Sequence, residues 1–465
     1  MKILLKLVSF FLLMQSVAVF PQNDDFYHLK AIEKYIDDQM ELHGIPSLAL
    51  GILRNDSIVF EGYYGKTSKG LPIDNKTVFG TFGITKLVVV TAIFKLINEE
   101  KLHLADNLYK YLNDIPNSWK KIQIKHILGN SSGIHSVLGF GVNESNRMFF
   151  ERIGKLPLEF VPGEKYEFNA INYWLLGKLI ETISGQALEE YFWKNVLGGN
   201  GADFWFTTYL SPNSGKGAYF EGYNPWENGH LNVIDRAYAR DQASDGLNST
   251  LPRLMNWAKK LQAHSYFPEK TKLKMWSSFV YSNDDVPFLH GWYVYSTNQK
   301  DSYGISGSRT ALRIFPEQDL TLILMTNGYQ YYPIQKEIVN TIAGMLAPEL
   351  KDTQELLFYD LSNALVQHKG SNADALIKKV KEEIPENEWE QYLIALGNKA
   401  LGLDNKMAAR LFFEVNTQEF PNSVNAFENL TKFYLNQRLI EEARSSLKRV
   451  LELDPNHKWA KKFPY

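Results

Sequence analysis

Apolar residues recur at helical spacing over residues 26–42, where Leu29, Ile32, Tyr35, Ile36 and Met40 share a face before Gly44 and Pro46 end the run. Residues 47–53 and 57–63 then read as strands around Asn55-Asp56, a hairpin signal. From about Val78 to Leu261 the pattern is long and mainly helical. Strand patterns return over residues 288–296, 303–315 and 320–326, with Pro316-Glu317-Gln318-Asp319 as the last turn. Residues 334–346 read as a helix again. Strands at both ends of a helical stretch predict one antiparallel sheet assembled from both ends of a domain.

From about residue 351 the pattern is purely helical and repeats every 34 residues. Leu393, Leu396, Ala409, Phe413 and Pro421 recur as Phe427, Leu430, Ala443, Leu447 and Pro455. That period, with small residues where paired helices cross and Pro closing each unit, resembles the tetratricopeptide repeat. A degenerate earlier unit is expected near Leu356, with Ala375 in the small-residue place. Stacked units bury their apolar faces against each other and leave a concave side free, so residues 351–465 are expected to meet a protein partner.

A chain of 465 residues exceeds one ordinary core. With 45% hydrophobic and 22% charged residues it is a folded globular protein rather than a disordered one. The net charge of −2 offers no basic excess to neutralise phosphates, so no nucleic-acid partner is expected. Lys2 and Lys6 precede an apolar run over residues 7–20 broken only by Ser9, Gln15 and Ser16, and Ser16-Val17-Ala18 offers small residues for cleavage. Residues 1–18 therefore read as a secretory signal, which places the protein in the periplasm or outside the cell. The run is short for a bilayer, which needs about 20 apolar residues, so no membrane span is expected after its removal. The alternative is an uncleaved anchor. Cysteine is absent, so neither a disulfide nor a lipid on cysteine supports the exported fold.

Several motifs stand in a telling order. They are Phe79-Gly80-Thr81-Phe82-Gly83-Ile84-Thr85-Lys86, then Glu100-Lys101-Leu102-His103-Leu104-Ala105-Asp106, then His126-Ile127-Leu128-Gly129-Asn130-Ser131-Ser132-Gly133-Ile134. Pro162-Gly163-Glu164-Lys165, Leu176-Gly177 and Ser184-Gly185 follow. Ala243-Ser244-Asp245-Gly246-Leu247-Asn248-Ser249-Thr250 and Thr326-Asn327-Gly328 complete the series. Over residues 26–346 this order resembles the serine β-lactamase/penicillin-binding-protein family, and within it the class C β-lactamase-related members. The first motif matches the segment carrying Ser-x-x-Lys, and the motif at 243–250 matches A-x-G-G-L-x-S-T. The resemblance implies an α+β fold, an antiparallel sheet flanked by helices with a helical subdomain, here followed by the all-α repeat domain.

The resemblance also implies where the chemistry should sit. In that family a Ser and a Lys three residues apart share one helix face; the Ser attacks a carbonyl and the Lys helps manage its proton. Here Gly83 occupies the nucleophile's place and Lys86 is retained. The family's Tyr-x-Asn becomes Phe168-Asn169-Ala170, and its Lys or His before a small residue and Gly becomes Ile305-Ser306-Gly307. Of the five usual functional side chains, four are missing. Thr85 lies about 200° around the helix from Gly83, Thr81 precedes the helix, and Ser306 should face away from Ile305. Tyr166 and Tyr173 are nearby phenols without an assigned place.

Backbone donors outlast side-chain loss. The amides of Gly83 and Ser308 match the family's oxyanion hole, and Gly307 is expected to serve close backbone approach. Gly83, Lys86, Asn169, Gly307 and Ser308 are thus the candidate ligand contacts, with Lys86 either holding one or simply kept by hydrogen bonds. No His-Glu-x-x-His or Walker signature occurs, and the ten histidines are scattered, so no metal or cofactor is expected. The reading is a pseudo-hydrolase that binds a peptide or cell-wall-type small ligand, or acts as a scaffold. Two alternatives stand beside it: a D,D-peptidase- or esterase-type serine hydrolase with a non-standard site, and an interaction module working through the repeats.

Overall fold

The structure, a computed structural model, describes residues 24–43, 45–67, 70–136, 145–199, 204–206, 242–307, 309–327, 334–352, 377–378, 381, 384–402 and 406–463. The expected signal at 1–18, Ser308, Gly328 and the early repeat unit at Leu356 and Ala375 lie outside the described residues. The chain divides into two compact units, with the division between Lys351 and Asp352.

The first unit is built on a seven-stranded sheet in the order β2-β1-β10-β9-β8-β7-β6. The strands are β1 (Ser47–Arg54), β2 (Ser57–Gly65), β6 (Phe288–Leu289), β7 (Trp292–Thr297), β8 (Lys300–Ser306), β9 (Thr310–Phe315) and β10 (Leu320–Asn327). All pairs are antiparallel, and β1 lies along β10 from Ser47 opposite Asn327 to Arg54 opposite Leu320. The two ends of the unit therefore close one sheet, as the pattern predicts. β10 is buried at every position, which suits its run Leu320 to Met325, interrupted only by Thr321, since both faces are covered. Asn55 and Asp56 both take positive φ, 49° and 57°, the turn that matches the twist of a two-residue hairpin.

Two expected strands are each split. Residues 303–315 form two strands because the chain reverses after Ser306, with the Gly307 amide donating to the Thr310 carbonyl at 2.9 Å. Residues 288–296 reverse at His290 and Gly291, whose φ values are 43° and 98°. The helical middle also hides a small sheet, β3 (Val78–Gly80), β4 (Phe204–Phe206) and β5 (Leu247–Thr250), in the order β3-β5-β4. Strands of three or four residues are too short to show a period of two.

Ten helices of the first unit are described: α1 (Asp24–His43), α2 (Ile84–Asn98), α3 (Ile124–Leu128), α4 (Asn146–Ile153), α5 (Ala170–Ser184), α6 (Leu188–Asn195), α7 (Gln242–Asp245), α8 (Leu251–Gln262), α9 (Glu269–Met275) and α10 (Ile334–Leu346). Residues 84–94 of α2 are all buried. A helix apolar on every side belongs in the middle of a core, and α2 packs against α5, α7, α9 and the strands β8 and β9. On β1, α8 approaches so closely that a side chain on Gly51 would meet Met255 Sδ at 2.5 Å.

The second unit contains α11 (Trp389–Gly402), α12 (Lys406–Glu419), α13 (Val424–Asn436) and α14 (Ile440–Leu453), paired as two hairpins. The repeated positions fall on matching helices: Leu393 on α11 and Phe427 on α13, Ala409 on α12 and Ala443 on α14. Ala409 and Ala443 are buried, and a side chain on Gly397 would lie 2.7 Å from the Phe413 ring. Trp459 and Phe463 pack with Leu447, Val450 and Ala460 and cover the end of the last hairpin. No helix among the described residues is long and apolar enough to cross a membrane.

Candidate functional site

The turn between β3 and α2 carries the position where the family resemblance expects a nucleophile. It is firmly fastened. The Thr81 amide donates to the Leu247 carbonyl at 2.7 Å, and the Thr81 carbonyl accepts from Thr310 Oγ1 at 2.9 Å. Thr81 Oγ1 and Thr85 Oγ1 share a hydrogen bond of 2.9 Å, and Thr85 Oγ1 accepts from the Leu247 amide. Both hydroxyls are buried and hydrogen-bonded within the scaffold. Phe82 takes φ of 42°, a conformation costly for a bulky side chain, and the Arg309 guanidinium lies 4.8 Å from its ring.

Gly83 follows at the start of α2. A Cβ added there would lie 2.8 Å from Ile305 Cδ1 and 3.2 Å from Cγ1. The buried Ile305 side chain, reaching across from β8, therefore takes the volume that a serine side chain would need. The first and third motifs have changed together: one side chain is lost, and an apolar one fills the gap.

Lys86 lies one turn further along α2. Its side chain is only 8% exposed, and Nζ donates to Asp245 Oδ1 at 2.6 Å. The ammonium also sits 5.1 Å from the centre of the Phe168 ring and 5.7 Å from that of Tyr173. Burying a cation costs several kcal/mol unless it is paired, and the carboxylate and two aromatic faces offset that cost. Asp245 stands at the end of α7, in the place of the first Gly of A-x-G-G-L. Motif reading missed it as a functional residue, although an acidic residue in a glycine place was a visible signal.

Phe168 brings an apolar ring, 42% exposed, where a phenol would serve. The expectation that Asn169 contacts a ligand is corrected by its bonding. Its Oδ1 accepts from the Ile171 amide and caps α5, while Nδ2 donates to the Ile134 carbonyl at 2.6 Å. The buried amide is occupied at both ends. Ala170 begins α5 and offers no polar group.

The neighbouring phenols are engaged in hydrogen bonds of their own. Tyr173 is buried and accepts from Asn130 Nδ2 at 3.3 Å; burial above all pushes its phenol well above the usual range. Tyr166 and Tyr293 share a hydrogen bond of 2.6 Å, and burial likewise raises both. Phenols held neutral in this way are poor proton acceptors. Around Tyr173, Ser132 Oγ donates to Asn172 Oδ1 at 2.7 Å and Asn172 Nδ2 to Asn130 Oδ1 at 3.0 Å, tying the 126–134 motif to α5.

At Gly307 an added Cβ would meet nothing within 4 Å among the described residues. Its amide is already donated to Thr310. The structure thus brings Gly83, Lys86, Phe168 and Ile305 together around Asp245 and turns Asn169 to the scaffold. No group of His, Asp and Glu that could hold a metal occurs among the described residues.

Comparison with known proteins agrees with this frame. The family model described as "Beta-lactamase" matches residues 32–338. The "Putative D-alanyl-D-alanine carboxypeptidase" of Escherichia coli (strain K12) is 28% identical, over 36% of this chain and 44% of that protein. This chain thus spans less than half the length of that relative. "Protein flp" of Staphylococcus aureus (strain MW2) is 25% identical, over 67% of this chain and 65% of that protein. Among solved structures, the octameric penicillin-binding protein homologue from Pyrococcus abyssi superposes with a TM-score of 0.59 at 23% identity. That match covers 71% of this chain and 81% of the other, a likeness of fold.

Proposed function

Since the chain belongs to the Beta-lactamase family, we propose that it is a member that has given up hydrolysis and works as an exported binding or scaffold module. The observation that carries this reading is Ile305 packed against Gly83: a Cβ there would lie 2.8 Å from Ile305 Cδ1, and this β8 position supplies no cation. Removing the nucleophile of a serine protease costs on the order of a million-fold in turnover. Here Phe168 and Ala170 also lack the groups that would move the proton and hold the substrate, and Thr81 and Thr85 are engaged elsewhere.

Lys2, Lys6 and the apolar run after them support export, as does the carboxypeptidase name of one relative, which suits a peptide or cell-wall-type ligand. The paired helices at 389–453, with their 34-residue repeat, are in this reading the surface for a protein partner. Turnover tests the proposal: the full chain with a chromogenic ester and a chromogenic cephalosporin should give no rate above buffer, unchanged in Lys86→Ala. A saturable rate that Lys86→Ala abolishes would refute it.

A further inference from the structure

At the Lys86–Asp245 pair the carboxylate, not the ammonium, is the member that faces solvent. In the family resemblance the first and third motifs supply cations. Here the β8 position is the apolar Ile305, and Lys86, with its side chain 8% exposed, is turned inward onto Asp245 Oδ1. Asp245 is the outer member of the pair, its side chain 38% exposed. A carboxylate accepts about four hydrogen bonds, and Asp245 Oδ2 has no partner among the described residues. Beside it lies the Phe168 ring, half exposed, with its centre 6.2 Å from that of Tyr173. A partly exposed carboxylate oxygen with one exposed aromatic ring near its lysine partner favours a cation over an anion.

We infer that the remodelled pocket receives an alkylammonium group, seated on the outer oxygen of Asp245 with its carbon chain against Phe168. This deepens the proposed function and rests on it: the recognised group is an amine, not the carboxylate or acyl group that a hydrolytic site would take. Lys86 is then an internal competitor. Its ammonium already occupies the inner side of the same carboxylate and the same two rings. A ligand held by one partly exposed carboxylate and one ring binds weakly, on the order of millimolar.

The test uses the full chain and three probes of equal length, n-butylammonium, butanol and butyrate, titrated by ligand-observed NMR. Only n-butylammonium should saturate. Asp245→Asn should weaken it about tenfold or more, while Asp285→Asn, at an exposed acid elsewhere in the same unit, should leave it unchanged. Lys86→Met removes the internal competitor and should tighten binding about tenfold. Because Asp245→Asn leaves Lys86 unpaired and could unfold the unit, circular dichroism accompanies each variant. Lys86→Met buries no unpaired cation, so the direction of its effect decides alone if the first variant is unfolded. Equal binding of butyrate, equal loss in Asp285→Asn, or weaker binding in Lys86→Met would overturn the inference. An enzyme-inactive protein that binds none of the probes overturns it while sparing the non-hydrolytic reading; ester turnover with amine selectivity does the reverse.

Discussion

At Gly83 any restored side chain meets Ile305. Ile305 Cδ1 would be 2.8 Å from a restored Cβ, so Gly83→Ser should destabilise the first unit by about 1 kcal/mol through overpacking. In an Ile305→Ala background the same change should cost less, because the clash is gone. A double-mutant cycle in urea reads this coupling, and strict additivity would contradict the packing account. Gly83→Ser alone should not restore turnover, since Phe168, Ala170 and Ile305 remain. Groups of one site act as a unit. A second residue-scale consequence follows from Lys86. Asp245→Ala strands a buried ammonium and should cost about 1–2 kcal/mol, less than for a fully buried pair because Asp245 is partly exposed. Adding Lys86→Met should recover most of that loss. Gly83, Phe168, Ala170 and Ile305 could be read from motif positions. The Lys86–Asp245 pair could not: 159 residues separate the two, and only the packing of α2 against α7 joins them.

At the scale of elements, α2 shows why local preference misleads. Val88-Val89-Val90 favours a strand, yet the run is helical because residues 84–94 are buried on all sides. The mainly helical pattern over residues 78–261 and the family motif both pointed to a helix there, against the strand preference of the valines. Short strands such as β3 and β4 left no such trace. Two histidines are withdrawn from solvent: His126 on α3 is half-buried, and His290 in the turn between β6 and β7 is buried. Burial, more than any other cause, lowers each imidazole to about 4. An unfolded histidine titrates near 6.5. Between those values the unfolded chain binds protons that the folded chain refuses, so stability should be level above about pH 7 and fall as pH drops from 6.5 towards 4. The thermal midpoint should be several degrees lower at pH 4.5 than at pH 7. His290→Asn, which tolerates the positive φ of 43°, should flatten part of that slope. A midpoint that rises on acidification would contradict the assignment.

On the scale of the whole molecule, the strands at both ends of the first unit meet where β1 lies along β10, and the 34-residue repeat falls on the paired helices α11 to α14. In such repeats a long-period signal is legible because corresponding positions recur on corresponding helices. Gly397→Val tests that contact, since its side chain would press on the Phe413 ring from 2.7 Å. It should cost the helical unit about 1–3 kcal/mol in urea, with no change if the helices pack otherwise. The central claim, a family frame without its acylation chemistry, is tested most directly by incubating the full chain with excess penicillin and measuring its intact mass. The account predicts the mass of the unmodified protein. A stoichiometric adduct mapping to a serine or threonine within residues 79–308 would contradict it.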